Sequence, residues 1–166
     1  MTQEEIQEVL AKHVKWLRGE DDGQCANFKG MYLSGTHFVN SILISANFYG
    51  SDLSYIDLSR ADLFDADLRC TNLRYANLDY ADFRGADFTG SKREDYELTQ
   101  TPIAMSLTPY YVIIFDRHME IGCKSYTHEE WENFSDKEII AMDGKTALEF
   151  WRKYKTMLMA ACKTMK

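Results

Sequence analysis

From Ala26 to Gly90 the chain reads ANFKG, MYLSG, THFVN, SILIS, ANFYG, SDLSY, IDLSR, ADLFD, ADLRC, TNLRY, ANLDY, ADFRG and ADFTG, thirteen five-residue units without a gap. The central position is always Leu or Phe: Phe28, Leu33, Phe38, Leu43, Phe48, Leu53, Leu58, Leu63, Leu68, Leu73, Leu78, Phe83 and Phe88. Two positions earlier stands mostly Ala, Ser or Thr, and ten of the thirteen positions between are Asp or Asn. A period of five fits neither the 3.6 of an α-helix nor the 2 of a flat strand. It fits a coil in which each unit forms one short side and turns a corner, with the large and the small residue both facing inward. Four sides close a square, so twenty residues make one turn, and successive turns stack through backbone hydrogen bonds about 4.8 Å apart. Every twentieth residue then shares a column, such as Phe28/Phe48/Leu68/Phe88 inside and Tyr55/Tyr75 outside.

The units ADLFD, ADLRC, ANLDY, ADFRG and ADFTG resemble the A(D/N)LXX motif of pentapeptide-repeat proteins, a resemblance covering residues 26 to 90. It implies a mainly β fold, a right-handed quadrilateral β-helix, frequent dimerisation and no catalytic centre in the repeat. Met31, Ile42 and Ile56 depart from the motif, so the first coil is expected to be less regular.

Outside the repeat the signals change. Thr2 and Glu5 form a capping box, and Ile6, Val9, Leu10, Val14 and Leu17 follow at helical spacing, which predicts a helix over 3–18 laid on the first coil. The array is expected to stop at SKRED, where Arg93 takes the next central slot although Leu98 returns in frame. Tyr110 to Phe115 and Met119 to Tyr126 read as a hairpin turning at Asp116 to His118. Thr127 with Glu130 and Ser135 with Glu138 open short helices, and a last helix is predicted over about 145–163 with Leu148, Trp151, Tyr154, Leu158 and Ala161 on one face. The expected organisation is a capping helix over 1–20, a β-helix over 21–100 and a small α+β module over 101–166. The module segment IGCKSYTHEEW…ALEFWRKYK resembles tails of phage-encoded pentapeptide-repeat proteins.

Composition narrows the function. The 166 residues are 45% hydrophobic and 27% charged, a folded-protein balance, and the formal net charge of −7 argues against direct binding to nucleic acid. No apolar run approaches the roughly 18 residues that span a bilayer, and MTQEEIQEVL lacks the basic-then-apolar order of a secretory leader, so the expected location is the cytoplasm. Cys25, Cys70, Cys123 and Cys162 lie far apart, signalling neither a disulfide framework nor structural zinc. His118, Cys123 and His128 could supply three soft ligands, but alternate positions on two strands need not converge and no fourth ligand is evident; no metal or cofactor is expected. No nucleophile with a matched base is visible, so no catalytic residue is assigned. A hidden enzyme in the module would rest on His118 and His128 alone.

Mimicry of DNA, a known theme of the resembled family, meets a charge test. Residues 26 to 90 hold eight Asp and five bases, a net of −3, and six of the Asp fill the structural slot. Three coils span about 15 Å, over which a DNA duplex carries roughly nine charges. The copy is at best partial. Protein partners are favoured: Ile42, Ile44 and Phe64 stand outward along one side and Tyr55 and Tyr75 along another, as candidate binding residues. The leading expectation is a phage-type antagonist that inhibits or occupies a bacterial host protein or defence complex. The alternative is a sponge for a small nucleotide messenger, held by Arg117, His118, Lys124 and Trp131. Phe150, Trp151, Met157 and Met159 are candidates for a homodimer contact.

Overall fold

A computed structural model describes residues 1–165 and divides into two units, Met1–Thr101 and Pro102–Lys166. In the first unit, helix α1 (Gln3–Leu17) opens on the capping box, with Glu5 N donating to Thr2 Oγ1 and Thr2 N to Glu5 Oε2. Ile6 is buried and Val9, Leu10, Val14 and Leu17 are half-buried. His13, on the same face, is buried as well.

Parallel bridges then repeat at intervals of twenty: Asn27, Asn47, Asp67 and Asp87 pair in succession, as do Tyr32, Asp52, Asn72 and Lys92. The His37 and Ile42 columns continue the pattern on the other two sides. The result is a repeat β-helix of four units per turn. All thirteen central Leu and Phe side chains are buried, and Phe28 and Phe48 stack at 5.1 Å within their column. Burying one such side chain contributes about 1.5–3 kcal/mol.

Each corner is a four-residue turn, as where Ala61 N donates to Leu58 O at 3.0 Å. Its third residue alone has positive φ, the signature of a type II turn. This holds at all thirteen corners from Gly30 to Gly90, eight of them occupied by residues other than Gly, including Tyr55, Arg60 and Tyr75. A left-handed conformation costs such residues about 1–2 kcal/mol each, which burial of the central side chain offsets unit by unit. The Asp and Asn residues hold the corners from outside. In all ten units that carry one, its Oδ1 accepts the backbone N–H two residues on. The three units without it, at Tyr32, His37 and Ile42, all lie in the first coil. Even so the ladder of that coil is unbroken, so its expected irregularity is confined to these missing side-chain bonds.

The array does not simply fail at Arg93. Its side chain is buried in the central slot, and Nη1 donates to Leu73 O at 3.1 Å and to Ala76 O at 2.8 Å. From Ala26 to Thr71 the carbonyl at the small-residue position accepts the next coil's backbone N–H, as Ser51 O does from Asn72. At Ala76 the guanidinium supplies that donor, and at Ala86 the Thr101 hydroxyl does, at 2.5 Å. Strands β1 (Lys92–Arg93) and β2 (Tyr96–Glu97) then fold back as a two-stranded ribbon.

The second unit holds a four-stranded antiparallel sheet in the order β3 (Ile103–Leu107), β4 (Tyr110–Ile114), β5 (His118–Ile121) and β6 (Lys124–Thr127). Two sequence expectations need correction. The short, mixed run Ile103–Leu107 is a strand that its pattern did not signal. The single return strand over 119–126 is two strands, because Gly122, at φ +55, reverses the chain into a hairpin. Both capping boxes form, opening α2 (His128–Asn133) and α3 (Asp136–Cys162). Non-helical backbone at Asp143 and Gly144 breaks α3 in two. The core joins Val112, Ile114, Met119 and Ile121 of the sheet to Trp131, Ile139, Phe150, Trp151, Leu158 and Met159 of the helices.

Candidate interaction surface

The ladder that builds the coil also sets out its surface, because residues twenty apart stand about 4.8 Å from one another on a stiff backbone. On one side Ile44 and Phe64 occupy a single column, with Ile42 next to them. Phe64 is 40% and Ile42 45% exposed, and Ile44 is half-buried. On a neighbouring corner the rings of Tyr55 and Tyr75 stack at 4.8 Å and 21°, with exposures of 62% and 61%. The repeat thus holds all five of its candidate residues in place, in two clusters.

Two further aromatics belong to this surface and went unread in the sequence. Tyr49 lies between Lys29, 5.3 Å from its ring centre, and Arg69, 5.5 Å away. Arg60 lies 5.8 Å from the Tyr80 ring. Their signal was available at the same spacing of twenty that sorts the interior columns. Two of the outward acids are paired with bases: Asp67 and Asp82 bind Arg69 and Arg84 at 2.8 and 2.6 Å besides holding their turns. The bond from Arg69 holds the Asp67 carboxyl below its ordinary range, and Arg84 does the same for Asp82.

The candidates of the second unit are not brought together. Arg117 and His118 lie at the start of β5 and Lys124 at the start of β6, and the register pairs His118 with Thr127 and Lys124 with Ile121. Arg117 is exposed, but Trp131 is a core residue, buried with its Nε1 donating to Met119 O at 2.6 Å. Lys124 and Trp131 do border one cleft, with Tyr110, Ile139, Asp143 and Phe150. Its cavity of about 30 Å³ holds a water or two and no nucleotide. Tyr110 donates to Asp143 Oδ2 at 2.5 Å, and burial, reinforced by that bond, pushes its phenol up to about 12.

Among the described residues no cluster of His, Cys, Asp and Glu could hold a metal. Cys123 sits in the β5–β6 turn, at the opposite end of the hairpin from His118 and His128. His128 places Nε2 3.2 Å from His118 O, and burial lowers its pKa. The proposed homodimer contact also changes: Phe150, Trp151 and Met159 are buried within the chain because the sheet needs them as its cover, and Met157 alone of the four is exposed. No helix is long and apolar enough to cross a membrane among the described residues.

Comparison with known proteins bears on the repeat. The family model for pentapeptide repeats matches residues 24–55 and 56–92. Among solved structures, a pentapeptide repeat protein from the cyanobacterium Cyanothece 51142 is 27% identical, over 43% of this chain and 53% of its own length, with a TM-score of 0.38. One from the thylakoid lumen of Arabidopsis thaliana is 28% identical over 44% and 65%, with a TM-score of 0.22. One from Nostoc PCC 7120 is 30% identical over 52% and 86%, with a TM-score of 0.27. The chain thus spans about half to two thirds of the first two. No curated protein matches it.

Proposed function

Because residues 24–92 are pentapeptide repeats, and pentapeptide-repeat proteins are commonly non-enzymatic, we propose that this chain is a binding protein that inhibits or occupies a bacterial host protein, in the manner of a phage-type antagonist of an enzyme or defence complex. Its repeat is a right-handed quadrilateral coil in this reading, working in the cytoplasm of the bacterial host. The observation that carries the proposal is the pair of outward clusters, Ile42 with Phe64 and Tyr55 with Tyr75, held exposed on a stiff ladder. A rigid surface loses little conformational entropy on binding, and exposed aromatics are what interface centres are rich in.

Two details favour a protein partner over the other readings. Six of the eight repeat Asp residues hold turns, and Asp67 and Asp82 are also paired with Arg69 and Arg84, which leaves a poor imitation of a phosphate backbone. The cleft beside Lys124 and Trp131 is too small for a nucleotide messenger. A homodimer remains part of the proposal, with Met157 as its exposed apolar residue.

Affinity capture from bacterial lysate tests the reading. The wild-type chain should retain one protein in stoichiometric amount, and Ile42→Asp with Phe64→Asp should release it while the circular dichroism spectrum stays unchanged. Absence of a stoichiometric partner, or capture indifferent to both substitutions, would overturn it.

A further inference from the structure

The corner column Gly35, Tyr55, Tyr75 has an empty place. Ladder bonds set the three positions one above another, with Gly35 N donating to Ser54 O and Tyr55 N to Arg74 O, both at 2.9 Å. Since the two rings stack nearly parallel, the second face of Tyr55 looks along the coil toward Gly35. A Cβ built at Gly35 would meet nothing within 4 Å, and Tyr55 is 62% exposed although Tyr75 covers one of its faces.

Other outward tyrosines are treated differently. Tyr49 has a cation one coil away on each side, Lys29 and Arg69, and Tyr80 has Arg60 one coil away. A cation over a ring face is attracted by the ring quadrupole, and a guanidinium can lie flat on it. The surroundings of Tyr55 suit such a charge. Asp52 and Asp57 flank it in sequence, and their turn bonds, to Ser54 N at 3.0 Å and Ser59 N at 2.9 Å, use Oδ1 and leave the other carboxylate oxygen to a partner. The chain as a whole carries −7.

We infer that the open face of Tyr55 above Gly35 is a receptor for an arginine side chain of a protein partner, its guanidinium stacked on the ring and paired with Asp52 or Asp57. The site rests on the protein-binding function proposed above and gives that partner a chemistry: a basic segment led by arginine. An uncharged ring could stack there too, but would gain nothing from the two carboxylates.

A double-mutant cycle on the full chain asks whether the place accepts a guanidinium. Gly35→Arg puts one a coil away from Tyr55, in a corner conformation that eight other residues of the repeat already adopt. Combined with Tyr55→Ala, it should show a coupling of about two- to fivefold in the unfolding constant; additivity of the two substitutions would overturn the site. Titration with N-acetyl-arginine methylamide should shift the Tyr55 ring resonances saturably, and Gly35→Arg should abolish the shift. No saturable shift, or larger shifts with N-acetyl-tryptophan amide or adenosine monophosphate, would overturn the arginine assignment. Neither result touches lysate capture, which tests protein binding itself, so the two failures are distinguishable.

Discussion

Arg93 donates through Nη1 to the carbonyl of Ala76 at 2.8 Å, taking the place of the backbone N–H that a further coil would have offered. A β-helix that ends on open carbonyls invites pairing with other chains. Here one side chain closes a column of leucines and satisfies a carbonyl at once. Arg93→Leu would restore the apolar interior but leave Ala76 O without that donor. The expected cost is about 1.5–3 kcal/mol, the range for a hydrogen bond from a charged group, read as a lower urea midpoint with an unchanged slope.

The turn bonds predict a difference between two conservative changes. Asp62 Oδ1 accepts from Phe64 N at 3.1 Å. Asp62→Asn keeps an acceptor in place and should be close to neutral, whereas Asp62→Ala should lose about 1 kcal/mol. Equal losses in chemical denaturation would mean that the carboxylate charge, and not the bond, holds the corner.

Two glycines separate strain from collision. At Gly50, φ is +66 and a Cβ would touch nothing, so Gly50→Ala should cost only the left-handed penalty, about 1–2 kcal/mol. At Gly23 a Cβ would fall 2.4 Å from Trp16 N, in the backbone of α1. Gly23→Ala must therefore displace the capping helix, and should cost more than Gly50→Ala and raise the hydrogen exchange of α1 selectively.

Acid should loosen the same cap. His13 is buried, and its Nδ1 accepts from Ala26 N at 3.1 Å, which requires the neutral ring. Burial lowers its pKa from the ordinary 6.5. The unfolded chain thus takes up this proton at higher pH than the folded one, so protons favour unfolding. Stability from His13 is complete above pH 6.5 and is lost as pH falls from there through the lowered value. His128 shifts in the same direction in the second unit, so the probe should be local. Trp16 stacks on His13 at 5.5 Å, and its fluorescence should report the change in wild type and not in His13→Gln.

The sequence by itself determined the coil. A Leu or Phe at every fifth residue, a small residue two before and an acid or amide between admit one arrangement in which all three are satisfied, so the interior columns and turn bonds were legible before any coordinates. The capping boxes at Thr2, Thr127 and Ser135 were legible for a like reason, since each is a contact between residues three apart. Tertiary structure decided the rest. His13 carried no signal in the sequence, Arg93 read as the stop of the array and Trp131 as a candidate site residue, yet each is buried against a backbone group 12 to 17 positions away in sequence. Whether a polar side chain is buried depends on finding a partner for its hydrogen bonds, and a partner that distant is set by how the chain returns on itself. The same holds for the open place above Gly35, which exists only because the coil sets residue 35 against residue 55.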